Sequence, residues 1–165
     1  MKNLLLTVFL SAISAQMIHA ADATADVNKH FGLKSSPEQT IKWLESNQKS
    51  IYETLKVSIV EDMGEGKLKV KRDTVKGEFV WIVQETKITN KDKYVYKSEL
   101  VKSISGGIVY SDTYIVVSSG KRGGSTVSIR MSSGVNHSDV TGGAMTIDFV
   151  SRINKCRRMI ESRLN

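Results

Sequence analysis

"TGGAMTIDFVSRINKCRRMIESRL", residues 141–164, closes the chain and decides how everything before it is read. Met145, Phe149, Ile153, Cys156, Ile160 and Leu164 recur at the three- and four-residue spacing of one helical face. Arg152, Lys155, Arg157, Arg158, Glu161 and Arg163 fill the remainder, which reads as the outer, charged face. The pattern predicts an amphipathic helix of about five turns. Such a stripe has to be buried, and the apolar face of an antiparallel sheet is a surface that accepts it.

The sequence upstream of the helix supplies that sheet. Leu55, Val57 and Ile59 alternate with polar residues, Asp62 to Gly66 turns the chain, and Leu68 and Val70 alternate with lysines on the return. Phe79 to Ile88, Tyr94 to Ser103, Ile108 to Ser118 and Ser125 to Ser133 follow, the middle pair separated by Ser105-Gly106-Gly107. These six strands with short connections predict an antiparallel meander, and none contains proline. The tip "SSGKRGGST" (118–126) concentrates glycines, cations and hydroxyls, as phosphate cradles do. It lacks the order of a P-loop, and a strand follows where a P-loop needs a helix, so it reads as a hairpin turn.

The N-terminal third divides into three parts. Residues 1–20 pair one lysine with a short apolar run, Leu4 to Ile13, and end on Ile18-His19-Ala20, the pattern of a cleaved signal peptide. That predicts export to a periplasm or the cell exterior, with a mature start near Ala21. Residues 21–34 are polar and aperiodic: a flexible leader or a weak first strand. Ser36-Pro37-Glu38-Gln39 is a helix start with a capping box, after which Ile41, Leu44, Ile51, Tyr52 and Leu55 share a face. Asn47 and Gln48 divide that helix into two.

Residues 35–165 make one domain of ordinary size, able to fold without a staple. Cys156 is the sole cysteine, so a monomer, the expected state, has no internal disulfide, and its place on the apolar stripe marks it as a core residue. The formal net charge of +7, or +6 once Lys2 leaves with the leader, favours anionic surfaces such as a membrane face. The cations are spread along the chain without the block that marks a nucleic-acid arm, so no specific nucleic acid is expected.

The order of helix, meander and long closing helix, with "SSPEQTIKWL" (35–44) at one end and residues 141–164 at the other, resembles the helix-grip fold of the START-like (SRPBCC, polyketide cyclase-like) superfamily. The resemblance implies an α+β domain in which a six- to seven-stranded antiparallel sheet wraps a long C-terminal helix. It also implies a cavity between the two. Such folds open with a strand, which Val27 to Leu33 would have to supply. A lipocalin would need eight strands, and an outer-membrane barrel would not carry lysines at alternate positions. A cystatin-like sheet is a further alternative.

The chemistry available is sparse. His30, His137 and Cys156 have no ligand spacing, so neither metal nor cofactor is expected. No Gly-x-Ser-x-Gly elbow occurs. On the strand from Ile108, one face carries Tyr110, Asp112 and Tyr114 and the other Ser111, Thr113 and Ile115; both are partly apolar, so alternation does not choose between them. With the aromatic face inward, a cavity would be lined by Trp81, Tyr96, Leu100, Tyr110, Asp112 and Tyr114. Met131, Met145 and Phe149 would complete it from the last strand and helix. The function this implies is an exported protein that holds an apolar or amphipathic small molecule, such as a lipid. Alternatives are a cyclase- or hydratase-type enzyme using Asp112, Tyr110, Tyr114 and His137 as acid–base groups, and a structural protein with a filled core.

Overall fold

The computed structural model describes residues 21–55, 57–74, 77–90 and 93–165; the expected signal peptide, 1–20, lies outside them. Strand β1 (Ala23–Leu33) is followed by helices α1 (Pro37–Ser46) and α2 (Gln48–Thr54). Then come β2 (Ser58–Gly64), β3 (Lys67–Thr74), β4 (Gly77–Asn90), β5 (Lys93–Ser105), β6 (Ile108–Ser119), β7 (Ser125–Val135) and the closing helix α3 (Gly142–Leu164). The seven strands form one antiparallel sheet in the order β1-β7-β6-β5-β4-β3-β2. The expected meander is therefore present, with a seventh strand on its far edge.

That seventh strand resolves the reading of residues 21–34. They are no flexible leader: β1 pairs with β7 without a break from Ala23↔Val135 to Leu33↔Ser125. Ala23, Ala25, Val27, Phe31 and Leu33 are its buried positions, an alternation weakened to the eye by two small alanines and by Lys29 where a core residue would sit. At the opposite edge, β2 begins at Ser58, three residues later than the alternation suggested. Leu55 instead closes α2, and every residue of β2 is exposed.

The helices form where their local signals put them. Ser36 Oγ accepts from Gln39 N at 3.3 Å while Ser36 N donates to Gln39 Oε1 at 3.2 Å, the reciprocal capping box, with Pro37 in the first turn. Asn47 separates α1 from α2, its side-chain amide donating back to Trp43 O at 2.8 Å. Thr40, fully buried, shares a 2.8 Å hydroxyl hydrogen bond with Ser125 and another with Ser35, fixing α1 to the start of β7.

Helix α3 lies against β1 and α2, burying Phe149, Ile153, Cys156 and Ile160. Arg152, expected on the outer face, is buried with them. Its Nη1 donates to Leu55 O at 2.6 Å and its Nη2 pairs with Asp148 one turn earlier at 2.5 Å. The carbonyl it satisfies is one that the end of α2 leaves without a helical partner. The glycine-rich tip is a hairpin turn, as expected. Arg122 and Gly123 take positive φ of 56° and 80°, and a Cβ on Gly124 would stand 2.2 Å from Leu33 O, a contact only glycine permits.

Candidate functional site

The inner face of the sheet is defined by residues that alternate inward on successive strands. Leu68, Val70 and Arg72 on β3 stand opposite Val83, Trp81 and Phe79 on β4. On β5 and β6, Tyr96 stands opposite Ile115 and Ser98 opposite Thr113. Met131 of β7 continues the row, and α1 and α2 close over it with Leu44, Ile51, Tyr52 and Leu55. Between these layers is a cavity of about 50 Å³, to which α3 contributes Phe149. Aromatic and aliphatic groups dominate its wall, and polar groups collect in two places, one beside the cavity and one on its wall.

The first polar group centres on Glu85, the inward residue of β4 after Trp81 and Val83. Tyr96 donates its hydroxyl to Glu85 Oε1 at 2.6 Å, and Tyr52 reaches the same oxygen from α2 and also touches the Tyr96 hydroxyl. Gln48 Nε2 donates to both carboxylate oxygens, at 3.0 and 2.9 Å, and its carbonyl accepts from Lys87 at 3.0 Å. Burial, then the neighbouring Glu85 charge, holds the Tyr52 phenol well above its ordinary value. Burial does the same for Tyr96, reinforced by Tyr52 and Glu85. Nearby, burial, Glu45 and Glu85 push Tyr94 up to about 12. These phenols are hydrogen-bond donors at neutral pH and cannot act as bases there.

The second is Arg72. Its guanidinium lies 5.6 Å from the centroid of the Trp81 ring, and its Nε is sealed from solvent with no hydrogen-bond partner among the described residues. Burial and the nearby Arg152 push its pKa down to about 9, with Asp148 acting the other way. It remains a cation at neutral pH.

The residues singled out from sequence separate into two sets. Trp81, Tyr96, Met131 and Phe149 line the cavity; Leu100 and Met145 pack on the core beside it. Tyr110 and Tyr114 lie outside it, because β6 turns Ser111, Thr113 and Ile115 inward. A register shift between Ile108 and Tyr110 switches the inward phase of the strand: Ile108 joins the core before it and Ile115 and Val117 after it, while Tyr110, though buried, stays outside that core beside Asp112 and Arg130. Tyr110 lies over Gly134, whose added Cβ would come 2.3 Å from its ring, and Tyr114 has the Lys97 ammonium 5.5 Å from its centroid. Asp112 borders the cavity from the strand, but its carboxyl sits among Glu99, Lys97 and Arg130 of the sheet's other face. Burial, then Glu99, raises its pKa. His137 is away from the cavity, with its ring 5.9 Å from that of Phe79.

Arg72, Glu85, Tyr52 and Gln48 were not expected as site residues. The signal for the first two was parity: Arg72 falls in step with Leu68 and Val70, and Glu85 with Trp81 and Val83. No group of three or more metal-binding side chains occurs among the described residues, and no helix among them is long and apolar enough to cross a membrane.

No family model matches the chain, and no curated protein matches it. Solved structures do. A START superfamily protein from Mycobacterium smegmatis superposes with a TM-score of 0.60 at 10% identity, covering 84% of this chain and 96% of that one. A conserved protein from Geobacillus kaustophilus gives 0.58 at 17% identity over 85% and 97%. The Zhui aromatase/cyclase from Streptomyces sp. R1128 gives 0.56 at 10% over 85% and 95%. The chain shares the helix-grip fold of these structures, an antiparallel seven-stranded sheet with a long C-terminal helix.

Proposed function

We propose that this is an exported binding protein that holds an apolar or amphipathic small molecule between the sheet and its helices. The observation that carries the reading is the cavity wall: Trp81, Tyr96, Met131 and Phe149 facing α1 and α2, with a few convergent polar groups. Similarity to a START superfamily protein and to an aromatase/cyclase supports it at the level of the fold. A cavity of about 50 Å³ has room for only a few waters. A ligand of ordinary size needs about 300 Å³ or more. Binding therefore requires α1 and α2 to move away from the sheet, and the hydrogen bonds of Tyr52 and Gln48 to Glu85 are the contacts that would open.

The apolar run of residues 1–20 supports delivery to a periplasm or the exterior, and the cations on the outer face of α3, Lys155, Arg158 and Arg163, would draw the protein to anionic headgroups. Native mass spectrometry of the purified protein, before and after exposure to a lipid extract, tests the binding. A one-to-one adduct, with faster hydrogen exchange in residues 37–54 during uptake, is expected. Recovery without any adduct from either sample would establish the filled-core structural protein instead. Intact mass of the exported chain checks the start near Ala21.

A further inference from the structure

Buried cations are costly unless an opposite charge or hydrogen-bond acceptors meet them. At the Arg72 end of the cavity there are two guanidiniums, Arg72 and Arg152, and one facing carboxylate, Asp148. Asp148 is engaged by Arg152, whose Nη1 is in turn held by Leu55 O. Arg72 has no ion pair among the described residues, its Nε lacks an acceptor, and its one specific contact is the indole of Trp81. Arg72 is half-buried with its Nε sealed from water; a cation over an aromatic face recovers about 0.5–2 kcal/mol, and no acceptor adds to that. The positive charge is left without an ion pair on the cavity wall.

We infer that Arg72 is the receptor for an anionic group, a carboxylate or a phosphate ester, carried by the molecule this cavity holds. The inference rests on the binding function proposed above and specifies its ligand class as an anionic amphipath. The guanidinium fork matches either oxyanion, and Trp81 fixes the plane from which it donates. Serine and threonine from β6, Ser111 and Thr113, line the same cavity and can supply further donors. The carboxylate of Glu85 lies six residues along β4 from Phe79, the partner of Arg72, which is about 20 Å at the rise of a strand. The Glu85 cluster thus lies away from Arg72 and beside the cavity, and the anionic head is drawn to the Arg72 end.

Tryptophan fluorescence titrations of the purified protein with dodecanoate, dodecyl phosphate, dodecanol and inorganic phosphate test this directly. At least one of the two anionic amphipaths is expected to bind about 10- to 100-fold more tightly than dodecanol. Arg72→Met should remove that preference, so that the anionic amphipaths bind no more tightly than dodecanol to the same variant, and Arg72→Lys should retain part of it. Preference for dodecanoate or for dodecyl phosphate then names the head group. Equal binding of dodecanol and both anions by the unmodified protein would overturn the inference while leaving the binding function intact. Failure of all four probes would overturn both. Arg72-dependent binding of inorganic phosphate with no gain from the alkyl chain would keep the anion receptor and remove the amphipath.

Discussion

Tyr96 on β5 donates its hydroxyl to Glu85 on β4 across 2.6 Å, and Tyr52 arrives at the same carboxylate from α2. Glu85 thereby holds α2 to the sheet, with the Lys87–Gln48 hydrogen bond beside it. Glu85→Ala would deprive Tyr52, Tyr96 and Gln48 of their acceptor together. It is expected to destabilise the protein by about 2–4 kcal/mol, against about 1–2 kcal/mol for Tyr52→Phe. Guanidinium unfolding of the single and double variants should give a coupling of about 0.5–3 kcal/mol. Strictly additive effects would mean that the carboxylate does not hold the helix.

All five tyrosines are held above the ordinary value of 10.0, each chiefly by burial. Their neutral form is favoured in the folded state. The stability they contribute is complete below about pH 10 and is lost as pH rises above it, because the unfolded chain ionises first. Absorbance at 295 nm should show little tyrosinate in the folded protein near pH 10.5. The signal should then rise together with loss of near-ultraviolet circular dichroism. Full ionisation of the phenols in a protein that is still folded at that pH would contradict the placement of Tyr52 and Tyr96.

The closing helix was legible because its stripe runs over about five turns without a break, and a helix that long needs a sheet to cover it. β1 was not, since Ala23 and Ala25 bury too little surface to mark a period and Lys29 interrupts it. The inward face of β6 depended on a register shift beside Val109, which alternation cannot reveal when both faces carry apolar groups. Arg72, Glu85 and Arg152 illustrate a different failure. Each occupies a position that its element's period assigns to the core; Arg152 was placed on the outer face because it is charged, and Arg72 and Glu85 were not singled out at all. Parity was the stronger signal at all three, and two of them carry the polar chemistry of the cavity.

Cys156 is fully buried on α3, and burial pushes its thiol up to about 12. At pH 8 almost none of it is thiolate, and the surrounding core blocks access as well. Ellman's reagent should therefore leave the folded protein unlabelled for hours and take up one equivalent at once in denaturant. Rapid labelling without denaturant would show that α3 does not pack as described. Cys156→Ser, which puts a hydroxyl in the same place, is expected to cost about 1–3 kcal/mol.

Arg72 sets stability against binding. With no acid paired to it, Arg72→Met replaces a half-buried cation, whose Nε is sealed from water, by an apolar chain of similar length. The ligand-free variant is expected to be more stable than the unmodified protein by about 1–3 kcal/mol, after the lost contact with Trp81 is allowed for. The sign of the pH dependence is fixed by the depressed pKa of about 9. Below it, Arg72 is charged in both folded and unfolded chains, and the burial cost is fully present. Above it, the folded state releases the proton while the unfolded chain still keeps its own, so the cost shrinks as pH rises. Denaturant unfolding of the two proteins in parallel cancels the tyrosine contribution common to both. Their difference should be constant from pH 6 to 8 and smaller at pH 10. A variant less stable than the parent at pH 7 would mean that Arg72 already has its counter-charge within the chain.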